Sequence, residues 1–338
     1  MILSQKAEPG MSSRYARART LLSTLFLVSL LLIFPANLFG QDDSDIEVVR
    51  VRTDLVTVPA YVTDEKGRRV KNLAATDFEL RDDGSIARIE YFATGTEHVA
   101  LIFALDASGS TREIIKQQRE TALALFSRFG RGSEVAVIRF MEQAELAAPF
   151  SDKQENALPA FDLPAVRNRR TAIFDAALNA VRAFDTRPQN SIERRIIILI
   201  SDGLDTVSSV RPRAVIEEAQ RRGVSLYAIH LPLYTVSDGR LRPRAATKGF
   251  RDLAEQTGGR YFLAGDARSA LNPESAIDLS QILQAIEEDL QGQYVFGYYP
   301  QEAAHDGRFH RIDLRLTAKD KRKLRVRLLR EGYTLKKS

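Results

Sequence analysis

Apolar residues recur with two different periods along this chain of 338 residues. Between about 46 and 95 the period is two, since Val56, Val58, Ala60 and Val62 alternate with Leu55, Thr57, Pro59 and Tyr61. That spacing predicts strands. Asp64-Glu65-Lys66-Gly67 marks a turn, and Asp82-Asp83-Gly84 between 78–81 and 86–92 marks a hairpin. From about 97 to 291 the pattern changes. Near-continuous apolar stretches at 99–105, 134–140, 195–200 and 224–229, with a weaker one at 260–263, alternate with helical patterns near 112–129, 172–184, 212–222, 247–257 and 276–290. Strands apolar on both faces, set between amphipathic helices, indicate a doubly wound α/β fold with a mostly parallel sheet. The stretch 142–150 is expected to add one antiparallel edge strand. From 292 to 335 the period returns to two: 294–299 reads as a strand, then Ile312, Leu314 and Leu316 alternate, and so do Leu324, Val326 and Leu328. Arg311, Asp313, Arg315, Arg325 and Arg327 take the outward positions.

Neither strand-rich flank has enough strands for a core of its own. The expectation is that 41–95 and 292–338 pair into one β-sandwich, with the α/β domain, 96–291, inserted between them.

Residues 1–40 change the picture of where the chain works. Arg14, Arg17 and Arg19 precede an apolar run at 21–34, Pro35 ends it, and Gly40 offers a small residue before Gln41. This is the layout of a secretory signal peptide, with cleavage after Gly40. The run is short for a membrane span, which needs roughly 20 residues. Leu38 stands where a smaller residue is preferred, so an uncleaved N-terminal anchor is the alternative reading. Met11 offers a second start with a tidier leader. The expected location is secreted or periplasmic, with membrane contact only if the leader is retained. Without the leader the net charge falls from +5 to +2, and it is uneven: 308–338 holds twelve basic and three acidic residues, while 41–307 is net acidic. The alternating tail pattern reads as a solvated strand face, and nucleic acid is not an expected partner. The chain has no Cys, which excludes disulfides, thiolate metal sites, a catalytic Cys and a lipidated Cys anchor.

The candidate chemistry sits at the end of the first α/β strand. The stretch 101–105 runs into Asp106-Ala107-Ser108-Gly109-Ser110, and a helix follows. In an open α/β sheet the carboxyl ends of the strands are where ligands bind. Asp106, Ser108 and Ser110 supply one charged oxygen and two hydroxyls there. Thr171, opening the helix near 172–184, and Asp202, ending the strand at 195–200, add two further oxygens on the same edge. An oxygen-only set suits a hard divalent cation, Mg²⁺ or otherwise Mn²⁺ or Ca²⁺. Asp175 and Asp205 lie close by in sequence and read as helix or turn stabilisers.

On these residues the chain resembles the von Willebrand factor A-type (VWA) family, over most of 97–291. The family's metal-ion-dependent adhesion site uses an Asp-x-Ser-x-Ser motif, a later Thr and a later Asp, which Asp106, Ser108, Ser110, Thr171 and Asp202 match. Thr-Gly-Gly-Arg-Tyr-Phe at 257–262 resembles the approach to the family's last strand. The resemblance implies that the serines, and often the Thr, bind metal directly, and that the aspartates act through water. One departure is that the Thr often follows Gly-Gly, whereas here it follows Arg169-Arg170. The flanks resemble a narrower group, the secreted VWA-related proteins common in acidobacteria, through Val62-Thr63-Asp64, Asp77-Phe78 with Asp83-Gly84, and Gly297-Tyr298-Tyr299-Pro300. That resemblance implies no biochemical activity.

Enzyme readings find little support. There is no Gly-x-Ser-x-Gly, no P-loop and no Gly-x-Gly-x-x-Gly. A metal hydrolase using Asp106 and Asp202 would lack a separate general base. His98, His230, His305 and His310 show no metal-ligand spacing and read as structural. The reading is therefore a non-enzymatic, metal-dependent module that captures a carboxylate of an acidic protein partner. The alternative is an envelope assembly protein whose metal site is vestigial or only stabilising. Arginines in loops on the same edge form an expected basic rim: Arg112 after the Asp-x-Ser-x-Ser loop, Arg167, Arg169 and Arg170 before Thr171, Arg211 and Arg213 after Asp202, and Arg240, Arg242 and Arg244 beyond the strand at 224–229. The sequence is silent on oligomeric state.

Overall fold

The structure is a computed structural model, and it describes residues 55–94, 99–163, 170–187, 192–272, 275–317 and 323–335. The expected leader, His98, Arg167, Arg169 and the side chain of Arg112 lie outside the described residues. No helix among the described residues is long and apolar enough to cross a membrane.

The N-terminal flank forms β1 (Val56–Thr63), β2 (Phe78–Asp82), β3 (Ser85–Ala87) and β4 (Tyr91–Thr94). The α/β region supplies β5 (Val99–Asp106), β6 (Ser133–Phe140), β7 (Ala144–Ser151), β8 (Arg194–Ser201), β9 (Val224–His230), the hairpin β10 (Tyr234–Ser237) and β11 (Arg240–Pro243), and β12 (Tyr261–Leu263). Its helices are α1 (Ile115–Phe129), α2 (Ile173–Ala183), α3 (Pro212–Arg222), α4 (Phe250–Glu255), α5 (Ala267–Leu271) and α6 (Ser280–Gln291). The C-terminal flank gives β13 (Gln293–Tyr298), β14 (His310–Leu316), β15 (Arg325–Leu328) and β16 (Gly332–Tyr333).

The central sheet has the order β12-β9-β8-β5-β6-β7. All pairs are parallel except β6 with β7, which is the antiparallel edge expected at 142–150. Every residue of β5 is buried, because the sheet is covered on both faces. Leu101, Phe103 and Leu105 face α1 and α6 in one apolar layer, while Ala100, Ile102 and Ala104 face α2, α3 and α4 in the other. Burying each large side chain contributes about 1.5–3 kcal/mol. Local signals set the helix ends. Pro212 opens α3 at a position needing no amide donor, and Gly223, in the left-handed conformation with φ 65°, closes it. From β5 the chain moves first to β6 and β7, then returns to the other side of β5 for β8. The switch point therefore lies between the carboxyl ends of β5 and β8.

The flanks interleave into two four-stranded sheets, β15-β1-β13-β4 and β16-β14-β2-β3. One core joins them: Val58, Ala60 and Phe296 from the first sheet pack with Phe78, Leu80, Ile312 and Leu314 from the second. The strand expected at 86–92 divides. Its first part pairs with β2, where Leu80 lies opposite Ala87. Its second part joins the other sheet, where Phe92 lies opposite Phe296. Residues 88–90 make the crossing between sheets, and the Glu90 amide already donates to Gly297 O at 2.9 Å. The long loop expected after 224–229 contains the β10–β11 hairpin, turned at Asp238 and Gly239, both with positive φ. The helix expected from 112 starts as a 3-10 turn, Gly109–Ile114, before α1.

Candidate metal centre

Asp106 is the last residue of β5 and is wholly buried. Its Oδ1 accepts from the Ser108 amide at 2.9 Å, and its Oδ2 accepts from the Ser201 hydroxyl at 2.5 Å. These contacts fold the loop back on itself. The Thr111 hydroxyl donates to Ser108 O at 2.9 Å, and Gln118 of α1 donates to Asp106 O at 2.6 Å. The loop therefore brings Ser108 Oγ and Ser110 Oγ to 3.0 Å of each other.

Asp202 follows β8 and is also wholly buried. Its Oδ1 accepts from the Leu204 amide at 2.9 Å, while its Oδ2 is buried without a hydrogen-bond partner. Its main-chain carbonyl accepts from His230 Nε2 at 2.8 Å. Since a carbonyl only accepts, Nε2 carries the proton, and His230 Nδ1 accepts from the Tyr261 hydroxyl at 2.5 Å. Burial pushes His230 down to about 4, against the pull of the Asp202 carbonyl, so the ring is neutral. Gly203 turns the chain with φ 77°, and a Cβ there would stand 2.7 Å from Ala246 Cβ.

Thr171 is buried just before α2. Its amide donates to Thr206 Oγ1 at 2.9 Å, and its carbonyl accepts from the Thr206 amide at 2.8 Å. The Asp202 loop and the Thr171 loop are thus tied together. Asp205 Oδ1 accepts from the Ile173 amide at 2.7 Å and so caps α2 from outside. Asp175 accepts from the amides of Ser209 and Val210. Both carboxylates are occupied in holding loops, as their sequence context suggests.

The electrostatics follow from this packing. Burial, and then the charge of Asp202, push Asp106 up to about 7, against the Ser108 and Ser201 hydrogen bonds. Burial also raises Asp202, opposed by the Leu204 amide, the Ser110 hydroxyl and the charge of Arg244. Two buried carboxylates that repel each other, one with an unpartnered oxygen and the Ser110 hydroxyl close by, fit a divalent cation held by oxygen donors.

The arginines take different places. Arg244 is near enough to pull on Asp202. Arg170 is exposed, and its amide and guanidinium both approach Glu142. Arg211 is exposed, Arg213 pairs with Glu217 along α3, and Arg240 and Arg242 are exposed on β11, with Asp238 3.6 Å from Arg242. Sequence reasoning missed His230 and Ser201 as supports of the two aspartates. Ser201 stands beside Asp202 in the chain, so its place at the strand end was the available signal.

The profile of the von Willebrand factor type A domain family matches residues 100–275. No curated protein matches the sequence. Among solved structures, an aerotolerance-related membrane protein from Bacteroides fragilis is 20% identical, with 57% of this chain and 98% of that one covered and a TM-score of 0.43. A von Willebrand factor type A protein from Catenulispora acidiphila is 14% identical, with 85% of this chain and 75% of that one covered and a TM-score of 0.43. Proximal thread matrix protein 1 from the mussel byssus, solved with a zinc-occupied MIDAS motif, is 15% identical, with 59% of this chain and 50% of that one covered and a TM-score of 0.43.

Proposed function

The chain belongs to the von Willebrand factor type A domain family, and from that premise we propose that its α/β domain is a metal-ion-dependent, non-enzymatic binding module of an exported bacterial protein. The observation that carries this reading is the pair of buried carboxylates at the switch point, Asp106 and Asp202, with Asp202 Oδ2 unpartnered. Ser108, Ser110 and Thr171 would hold the cation through their hydroxyls, and Asp106 and Asp202 would balance its charge from behind. When bound, Mg²⁺ supplies an open coordination position that takes a carboxylate oxygen of a partner. The chain's own part is to keep these oxygens fixed: Ser201 and the Ser108 amide hold Asp106, and His230 and Gly203 hold the turn at Asp202. Arg244, with the exposed Arg170, Arg211 and Arg240, adds positive charge to the loops at this edge. An acidic partner gains steering from that charge, and its association slows as salt rises.

Calorimetric titration with Mg²⁺ tests the site, with binding expected for the wild type and lost in Asp106→Ala. Capture from envelope extract on immobilised protein tests the function. Proteins retained with Mg²⁺ should be released by chelator and not retained by Asp106→Ala. Chelator-resistant capture that is equal for both proteins would sink the reading.

A further inference from the structure

A second group of ionisable side chains, in the sandwich, takes no part in the centre described above. β2 ends at Asp82, Asp83 opens the turn to β3, and β14 begins at His310. Pairing of β2 with β14 brings them together across 227 residues of chain. His310 is buried and its ring lies between two carboxylates: Nδ1 is 2.9 Å from Asp83 Oδ2, and Nε2 is 3.1 Å from Asp306 Oδ1. The second oxygen of Asp83 is taken by the Arg311 amide at 2.8 Å. Asp82 Oδ2 accepts from the Tyr333 hydroxyl at 2.6 Å, but Asp82 Oδ1 is buried with no partner. Tyr298 is 1% exposed, and its hydroxyl lies beside Asp82 and Tyr333. Asp82, Asp83, His310 and Tyr298 line one open cavity of about 290 Å³.

A neutral imidazole has one N–H and one lone pair. With Nε2–H given to Asp306, the Nδ1 lone pair faces a carboxylate oxygen, which is repulsive unless positive charge lies between them. A proton on Nδ1 removes that repulsion but leaves Asp82 Oδ1 without a partner. A cation seated among Nδ1, Asp83 and Asp82 removes it and gives Asp82 Oδ1 a partner. The donor atoms already lie within 4.8 Å of one another. Nδ1 and Asp83 Oδ2, now 2.9 Å apart, need to separate only to about 3.4 Å to ligate one tetrahedral ion at bonds of about 2.1 Å. Asp306 on the far nitrogen is the outer carboxylate that commonly orients a ligating histidine.

We propose that Asp82, Asp83 and His310 form a second divalent-cation site, distinct from the Asp106 centre, that joins the N-terminal hairpin to the C-terminal strand of the sandwich. The mixed imidazole and carboxylate set selects a borderline transition metal such as Zn²⁺ or Mn²⁺, whereas the all-oxygen centre suits Mg²⁺. Asp306 is a positioning residue.

The test uses the full chain carrying Asp106→Ala, which removes the first centre. Calorimetric titration with Zn²⁺ should give one equivalent bound, and Co²⁺ should give visible absorption of a nitrogen- and oxygen-ligated ion. Adding His310→Gln or Asp83→Asn should abolish both signals. Adding Asp306→Asn should weaken binding about tenfold. Asp83→Asn still accepts the Arg311 amide, and unfolding in chelator checks that each variant is folded, so loss of binding reports the ligand itself. Absence of stoichiometric Zn²⁺ binding to the Asp106→Ala chain would overturn the proposal. So would binding that a folded His310→Gln and a folded Asp83→Asn both retain.

Discussion

At Asp106 burial works against charge. The carboxyl loses water, meets the Asp202 charge, and is pushed up to about 7 although Ser108 and Ser201 both donate to it. Removing the charge in the absence of cation therefore relieves repulsion. In chelator, Asp106→Asn should unfold at a temperature at least as high as the wild type. Millimolar Mg²⁺ should then raise the wild-type temperature by mass action and leave the variant unmoved. Thermal unfolding of both proteins, with and without Mg²⁺, reads this directly. An equal rise in both would assign the effect to another site. Gly259 shows a different residue-scale constraint. A Cβ there would stand 1.8 Å from Leu226 O, a main-chain atom of β9 that cannot turn aside. Gly259→Ala should cost about 2–3 kcal/mol in denaturant unfolding.

Between elements, an ion network ties the amino end of β6 to the connection before β8. Arg187 pairs with Glu134 and also donates to Glu193 at 2.6 Å, and Arg195 meets Glu193 at 3.1 Å. Hydrogen bonds from Arg187 hold Glu134 below its ordinary value of 4.5, against its slight burial. The folded value is the lower one. The stabilisation is therefore present above the unfolded value and is lost as pH falls through the folded one. Between about pH 6 and pH 3 the wild type should lose more unfolding temperature than Glu134→Gln, since the variant has no such carboxylate to protonate. Equal losses would remove Glu134 from the acid response. The exposure of Glu134, 46% of its side chain, keeps the expected effect small.

Across the molecule, the sandwich and the α/β domain meet at a buried carboxylate. Asp289 of α6 is 1% exposed and pairs with Arg69 at 3.2 Å and Arg260 at 2.9 Å. Arg69 comes from the connection after β1, lies 3.2 Å over the Tyr61 ring, and also donates to Gly258 O. Removing one partner of a buried pair leaves a charge without compensation. Arg69→Ala should cost about 3 kcal/mol, and a double-mutant cycle with Asp289→Ala should show coupling. Additive effects would mean that the two side chains act separately. The interleaved sheets make a further expectation at this scale. A fragment of residues 97–291 should fold alone, because both faces of its sheet are covered by its own helices. A fragment of residues 41–95 should not, because β1 and β4 both pair with β13 and β2 pairs with β14. Circular dichroism and cooperative unfolding of the two fragments check this.

The sequence by itself determined those features that local chemistry controls. Apolar runs with no polar face required strands covered on both sides, and Pro212 and Gly223 marked the ends of α3. The oxygen-bearing residues after β5 and β8 were legible because the strand ends place them on one edge whatever the detailed path. The β10–β11 hairpin was read only as part of a long loop, although Asp238-Gly239 is a turn signal within it. The tertiary structure alone decided the division of the strand at 86–92, because a strand's sheet is chosen by the partner that offers a free edge, and β13 arrives some 200 residues later in the chain. It also decided that His230 supports Asp202 and that His310 meets Asp82 and Asp83. Spacing along the chain is blind to such groupings. Their members come from remote segments, and strand pairing alone sets the distances between them.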